Sequence, residues 1–356
     1  MSLSYTSRRA HLSCATTAQY AFDGSALEED VMKAILRTEY GPPEVLQFTE
    51  VVKPIPKDAE VLIKVQAASV NPLDWRILRG KPFLIRLGAL RTPKHKILGV
   101  DIAGRVEAVG SHVKQFRPGD EVFGGGKNLG GFAEYVCTAE DNLALKPANL
   151  SFEDAAAIPV AAISALQGLR DKGGIERGQN VLVDGASGGV GTFAVQIAKS
   201  FGAEVTAVCS TRNVDKARSL GADHVIDYTR ENFTKSVRRY DLILAVNAYH
   251  SIFDYRRALS QDGICVIVGG DLAQVFQAVL LGPLLSLIGR KKVRFVGANI
   301  NQKDLVFLKD LLEAGKVEPV IDRRYPLSGV AEALRYLEEG HAQGKVIITV
   351  EHGNDS

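Results

Sequence analysis

Residues 180–210 read NVLVDGASGGVGTFAVQIAKSFGAEVTAVCS, and this stretch decides the fold. The run NVLVD (180–184) is short, apolar and β-branched, which predicts a buried strand. TFAVQIAKSF (192–201) places Ala194, Ile197, Ala198 and Phe201 at i, i+3, i+4 and i+7, which predicts a helix. EVTAVC (204–209) is the next strand. Between the first strand and the helix lies Gly185-Ala186-Ser187-Gly188-Gly189-Val190-Gly191, which fits A-x-G-x-x-G. Small residues there permit a tight turn and let the backbone approach a pyrophosphate, while Gly191 lets the helix pack close to the strand. The helix start then offers free N–H groups and a positive dipole end to an anion. A glycine-rich loop alone is a weak signal. Set between a strand and an amphipathic helix, it predicts a dinucleotide site.

Outward from this unit the alternation continues. A helix is expected through DKARSLGA (215–222), strands at DLILAV (241–246) and GICVIV (263–268), and a helix at SIFDYRRALS (251–260) between them. The order βαβαβ predicts an α/β fold with a doubly wound parallel sheet over 156–300. The end of the second strand selects the nucleotide. An NAD site places Asp or Glu about 20 residues on, to hold the ribose 2′-hydroxyl. Here the chain reads Ser210-Thr211-Arg212-Asn213, followed by Lys216, with no carboxylate. Arg212 has a fixed charge suited to phosphate, the two hydroxyls can donate, and Lys216 lies one helical turn further on. The expectation is NADPH rather than NADH. A helix start with solvated surface cations would show the same pattern.

Residues 32–155 differ. Short β-like runs such as EVLIKVQAASV (60–70), GRVEAVG (104–110) and DEVFG (120–124) are separated by Gly and Pro, with little helical periodicity, which predicts a compact β domain. Beyond 300, two helices and a last strand, GKVIITV (344–350), are expected, with Ser328 as N-cap of GVAEALRYLEEG (329–340). The 356 residues contain 43 Lys and Arg against 41 Asp and Glu, a formal net charge of +2, which gives no electrostatic argument for nucleic acid. The four cysteines, Cys14, Cys137, Cys209 and Cys265, are scattered, so no zinc-ribbon spacing exists. Cys209 and Cys265 sit in apolar runs and read as core. Residues 1–31 begin with 22 acid-free residues rich in Ser, Thr and Ala. They read as a disordered extension of a cytoplasmic protein, with an organelle transit peptide as the alternative. Between Asp271 and Arg290 lie 18 residues without a charge, broken by Gly282-Pro283. They read as a buried or interface helix pair, with peripheral membrane contact as the alternative.

Taken together, VNPLDW (70–75), GVDIAGRVEAVGSHVKQFRPGDEVFG (99–124), GGFAEYV (130–136), AAAIPVAAISALQGL (155–169), GASGGVG (185–191) and LGADHVIDY (220–228) resemble the medium-chain dehydrogenase/reductases, in the zinc-independent quinone oxidoreductase branch. The likeness runs from about Met32 to Val350. It implies a GroES-like β-barrel domain (32–155 and 301–356) and a Rossmann domain (156–300), with the active site in the cleft between them. It also implies a homo-oligomer, a dimer. Residue by residue, it implies pyrophosphate binding at Ala186, Ser187, Gly188, Gly189, Val190 and Gly191. Ser210, Arg212, Lys216 and Tyr228 match the 2′-phosphate pocket. Ser164 falls near the nicotinamide ribose, Val268, Gly269 and Gly270 beside the nicotinamide, and Lys345 near the cofactor. Asn71 matches a polar residue of the substrate cleft and is equally well read as the turn residue before Pro72. Trp75 and Arg79 are expected to line the same cleft. Asp74 and Asp101 read as structural.

Zinc-dependent relatives carry Cys at the position of Asn71 and a His-Glu pair at Val100-Asp101, so no metal is expected. Without a Lewis acid, a simple ketone is hard to polarise. The expected acceptor is a quinone or an α,β-unsaturated carbonyl, with the cofactor carrying the chemistry. Reduction of other carbonyls (a ketone or an enoyl thioester) and a non-catalytic NADPH-binding role remain alternatives. Two features depart from the pattern: Ala245-Val246-Asn247-Ala248 stands where relatives often carry Asp-x-x-Gly, and 271–290 is long.

Overall fold

A computed structural model describes residues 30–352 apart from 87–89, 91, 127–128, 271 and 288. Most of the 1–31 extension and Cys14 therefore lie outside the described residues. The first part is built from β1 (Val31–Leu36), β2 (Gln47–Val52), β3 (Glu60–Val70), β4 (Asp101–Val109), β5 (Glu121–Gly125), β6 (Tyr135–Ala139) and β7 (Leu143–Leu145). Strands β1 and β2 form an antiparallel pair. The others join β14 (Ile321–Pro326) and β15 (Lys345–Thr349) in a sheet ordered β14-β15-β3-β4-β5-β7, with β6 also on β3. Strand β15 runs antiparallel to β3, pairing Val346 with Val70, so the chain end returns to the first part as expected. Strand β14 was not anticipated: half of its residues are polar or charged and its alternation is weak.

A helix inside this β-rich part was also not anticipated. Helix α1 (Pro72–Arg79) starts at Asn71, whose extended backbone N–H donates to Asp74 Oδ2 at 2.8 Å. Pro72 at the first helical position loses no bond, and Gly80 at φ +59° ends the helix in the left-handed region. The signals were capping signals rather than periodicity, and eight residues are too few for a clear 3.6-residue pattern.

The second sheet is parallel and ordered β10-β9-β8-β11-β12-β13. It comprises β8 (Asn180–Asp184), β9 (Glu204–Cys209), β10 (His224–Asp227), β11 (Tyr240–Ala245), β12 (Leu259–Ile267) and β13 (Lys292–Phe295). The order reverses between β8 and β11, and ligands in doubly wound sheets bind at that crevice. Helix α4 (Gly189–Ser200) follows β8, α5 (Val214–Ser219) follows β9 and α6 (Ile252–Ala258) precedes β12. Strand β12 begins earlier than the run GICVIV, because Leu259 pairs with Tyr240 before a bulge.

The two sheets meet through an alanine-rich layer. Helices α2 (Phe152–Ala156) and α3 (Pro159–Leu166) bury Ala155, Ala156, Ala161, Ala162 and Ala165. One core joins them to Ala67, Ala103 and Phe123 of the first sheet, to Val183 of the second and to Phe193 and Ala194 of α4. Small side chains let the layers approach closely, and Lys345 at the start of β15 comes up to Gly189 at the start of α4. Helix α8 (Gln302–Glu313) adds Leu305, Leu308 and Leu312 to the same core. Cys209 and Cys265 are buried, as expected, and burial pushes both thiols up.

Two expectations need correcting. Residues 272–287 form one helix, α7 (Leu272–Leu287), which contains Pro283 rather than breaking there. Gly282 lies so close to β13 that a Cβ would come 2.9 Å from the Val293 carbonyl oxygen. Among the described residues, no helix is long and apolar enough to cross a membrane. Ser328 falls inside a 3-10 turn (Leu327–Gly329), and Gly329 occupies the N-cap of α9 (Val330–Glu338).

Candidate active site

The glycine-rich loop runs from the end of β8 into α4. Gly185 has φ +88°, reachable without strain only by glycine, and its N–H and that of Ala186 donate to the Val208 carbonyl of β9. A Cβ on Gly191 would run into the Gly185 carbonyl oxygen, so this glycine permits the close packing of helix on loop. Gly188, the N-cap, faces open space: the nearest atom to a built Cβ is 3.9 Å away. No side chain caps the helix there. The first-turn N–H groups have no intrahelical partner, so backbone donors face an open cradle. These residues fit a pyrophosphate.

Asp184, just before the loop, is buried and accepts from Tyr255 Oη at 2.6 Å. Burial raises its carboxyl to about 6, against the Tyr255 hydrogen bond. Beside the loop, a Cβ on Gly189 would sit 2.9 Å from Lys345 Cδ, so the lysine stem crosses the helix start. Its Nζ donates to Asn71 Oδ1 at 2.7 Å and to Asp101 Oδ2 at 3.2 Å. Asp101 Oδ2 also accepts from Ser69 Oγ (2.7 Å) and Asn71 Nδ2 (2.9 Å), and Oδ1 accepts from the Val160 N–H (2.9 Å). Lys345, Asp101, Asn71 and Ser69 are all buried. A buried ion pair is tolerable when its remaining valences are satisfied in this way. The amide of Asn71 is thereby fixed: its oxygen faces Lys345, one N–H faces Asp101, and one N–H remains.

Asp74 adds a second carboxyl beneath this network, fully buried. Burial raises it to about 7, helped by the charge of Asp101 and opposed by the Asn71 N–H and Lys345. Both aspartates accept from Asn71, Asp74 from its backbone N–H and Asp101 from its side-chain amide. Ser164 is buried, and its hydroxyl donates back to the Val160 carbonyl at 2.6 Å.

At the end of β9, the structure brings together the residues expected around a 2′-phosphate. Ser210 Oγ accepts from Asn213 Nδ2 at 3.1 Å and keeps its own proton to donate. Arg212 Nη2 donates to the His341 carbonyl at 3.4 Å and Lys216 Nζ to the Gln343 carbonyl at 3.1 Å. Neither cation forms an ion pair among the described residues. Thr211 is different: its hydroxyl donates to Asp227 Oδ2 at 2.5 Å and lies 3.1 Å from Thr229 Oγ1. The sequence reading found no carboxylate at the end of β9 and passed over this one, which reaches in from the end of the neighbouring β10. Tyr228 follows it, largely exposed.

At the end of β12, the Val268 N–H donates to the Ala245 carbonyl and Gly270 bridges to Ala248. A Cβ on Gly270, at φ +119°, would strike the Ala248 backbone. The loop that departs from Asp-x-x-Gly thus still abuts this strand end. Facing it, Arg76 Nη2 on α1 donates to the Gly270 carbonyl at 3.0 Å. Trp75 lies under the Arg76 guanidinium, 5.4 Å from ring centre to Cζ. Arg79, expected in the cleft, is instead held by Glu338 of α9 through two bonds of 2.5 and 2.8 Å. Arg76 had no sequence signal of its own, since its contact spans 194 residues.

Comparison with known proteins agrees with this geometry. A family model described as "Alcohol dehydrogenase GroES-like domain" matches residues 57–148, and one described as "Zinc-binding dehydrogenase" matches 220–348. The chain is 39% identical over 330 residues to a 2-methylene-furan-3-one reductase of Solanum lycopersicum, covering 89% of this chain and 79% of that protein. It is 37% identical over 330 residues to a chloroplastic NADPH-dependent alkenal/one oxidoreductase of Arabidopsis thaliana, with the same coverage. The solved quinone oxidoreductase from Coxiella burnetii superposes with a TM-score of 0.80 at 30% identity, covering 90% of this chain and all of that one. The chain belongs to the medium-chain dehydrogenase/reductase superfamily, in its quinone-oxidoreductase-like branch. As a member it is an oxidoreductase that uses a nicotinamide cofactor, and its fold is a GroES-like part joined to a Rossmann-like parallel sheet.

Proposed function

We propose that this oxidoreductase takes NADPH and delivers hydride to a quinone or an α,β-unsaturated carbonyl without a metal ion. The observation that carries the cofactor choice is the corner at Ser210, Arg212 and Lys216. Among the described residues, the two cations there are bound only to main-chain carbonyls, and the nearby carboxylate is engaged by Thr211. A 2′-phosphate offers such cations far stronger, charge-assisted bonds. The Solanum lycopersicum and Arabidopsis thaliana relatives, a 2-methylene-furan-3-one reductase and an NADPH-dependent alkenal/one oxidoreductase, support the same reading.

A catalytic zinc does not fit the donor set. Asn71 and Val100 stand at two expected ligand positions, and Asp101 is engaged by Lys345, Asn71 and Ser69. Among the described residues, no three His, Cys, Asp or Glu side chains gather to hold a metal. When bound, the cofactor would supply the hydride and its electrons. The chain supplies placement: the Gly188–Gly191 backbone for the pyrophosphate, Val268–Gly270 for the nicotinamide end, and the remaining Asn71 N–H for an acceptor oxygen. We assign residues 32–155 with 301–356 to one domain and 156–300 to the other, on the two sheets they build. The exposed side chains of Phe276, Val279, Leu280 and Leu281 on α7 are the face where the expected dimer or membrane contact would form. Liposome co-sedimentation and mass photometry separate these two.

The test is calorimetric binding of NADPH and NADH, followed by turnover on a panel of quinones, enones and ketones. NADPH should bind at least tenfold tighter, and quinones or enones should be reduced. Equal binding of the two nucleotides, or turnover lost to a chelator and restored by zinc, overturns the proposal.

A further inference from the structure

We propose that Arg76 is a substrate-contacting residue whose guanidinium holds the acceptor oxygen on which negative charge builds during reduction. The inference rests on the hydride-transfer reading above. Arg76 lies on α1, five residues after Asn71, and reaches the Gly270 carbonyl 3.0 Å away at the end of β12. Its guanidinium therefore touches both walls of the cleft, between the residues expected at the acceptor and those expected at the nicotinamide.

The side chain is not consumed by structure. Its Nε is buried and has no hydrogen-bond partner among the described residues. An arginine carries five N–H donors and stays charged, and a buried donor left unmade is costly. Arg76 forms no ion pair among the described residues. The contrast with Arg79 is sharp: three residues along the same helix, that guanidinium is closed by the Glu338 carboxylate. Arg37, a fully buried arginine of this part, is satisfied by the His95 and Ile77 carbonyls. A half-buried, uncompensated cation facing a cleft suits a developing oxyanion, which gains most from donors fixed in advance in a site with little water.

In an enone, hydride adds to the β-carbon, the C=C pair moves toward the carbonyl carbon, and the C=O π pair moves onto oxygen. Arg76 donates a hydrogen bond to that oxygen and keeps its proton. Water then protonates the α-carbon. In a quinone, hydride adds to one carbonyl oxygen, the ring π pairs shift, and the other oxygen takes the displaced pair as a phenolate, which Arg76 holds and water protonates.

Trp75, the single tryptophan of the chain, lies under this guanidinium and reports on it. Binding of 4-nitrophenolate to the protein saturated with NADP+ is followed by Trp75 fluorescence, alongside kcat, KM and NADPH affinity. Arg76→Met should weaken phenolate binding and lower kcat by about 10- to 100-fold each, the loss expected for a charge-assisted bond, while NADPH affinity moves less than twofold. Arg76→Lys should recover part of both, and added methylguanidinium should raise the kcat of Arg76→Ala. Phenolate affinity and kcat within twofold of wild type in Arg76→Met overturn the inference. So does a loss that neither lysine nor methylguanidinium restores and that NADPH affinity shares. A wild-type protein that binds no NADPH and reduces nothing overturns the functional reading itself, and the inference with it.

Discussion

Asp74→Asn should make this protein more stable than wild type in alkali and not in acid. Asp74 sits fully buried near the start of α1, accepting the Asn71 N–H, with a second buried carboxylate, Asp101, close by. Burial raises its carboxyl from 3.8 to about 7. The sign follows from linkage. A carboxyl whose folded value is raised binds its proton more tightly in the native state. Its contribution is complete below the unfolded value and is lost as pH rises through the folded one. At about 1.4 kcal/mol per unit, wild type should lose about 2–3 kcal/mol from this group between pH ~5 and pH ~8. Because Asp74 is fully buried, solvent screening takes little from that figure.

An asparagine accepts the same N–H and carries no charge, so the variant lacks this slope. Every other titrating group is common to both proteins, and the difference between their stabilities isolates Asp74. Urea unfolding at several pH values, read through Trp75 in the same helix, measures it. The stability gap in favour of the variant should widen by about 2–3 kcal/mol between pH ~5 and pH ~8. Parallel curves, with a constant difference across that window, would refute the reasoning. They would show that Lys345 and the Asn71 N–H hold Asp74 as an ordinary carboxylate.

Other outcomes are as definite. Arg212→Ala should raise the NADPH KM by about one to two orders of magnitude, the loss of a charge-assisted phosphate contact, and leave that for NADH unchanged; equal losses contradict the phosphate assignment. Asp227→Asn removes a negative charge beside Thr211 and should tighten NADPH severalfold in calorimetry without affecting NADH. Gly191→Ala drives a methyl group into the Gly185 carbonyl and should abolish binding of both nucleotides, with overpacking costing about 1–3 kcal/mol in thermal unfolding. Tyr255→Phe leaves the Asp184 carboxyl without its donor. Stability should fall by about 1–3 kcal/mol at pH ~8, and by less at pH ~5, where that acid is protonated.

What could be read from sequence follows the range of the forces involved. The loop at 185–191 was legible because a strand, a turn and a helix start are local events, each with its own residue chemistry, and β3, β8 and β9 end where their apolar runs end. Helix α1 was missed because its eight residues carry caps but no clear period, and β14 because its polar face hid its alternation. Asp227 was missed for a different reason. Nothing local says that the end of β10 lies beside the end of β9, which only the parallel pairing of His224–Asp227 with Thr206–Cys209 establishes.

The two arginines of α1 make the point most clearly. Arg76 and Arg79 are one turn apart on one short helix, where residues at i and i+3 are neighbours on the surface. Sequence reasoning favoured Arg79 for the cleft. What separates them is Glu338, 259 residues further on, which α9 brings to Arg79 and not to Arg76. The ion pair is half-buried on both sides, so its direct gain is modest. Its larger consequence is to fix α1 against α9 and leave Arg76 as the cation turned to the Gly270 carbonyl. If that is its role, Glu338→Gln should lower turnover through the placement of Arg76 while leaving NADPH affinity intact. The same substitution in an Arg76→Met background should then lower it no further, since residues that act through one another are not additive.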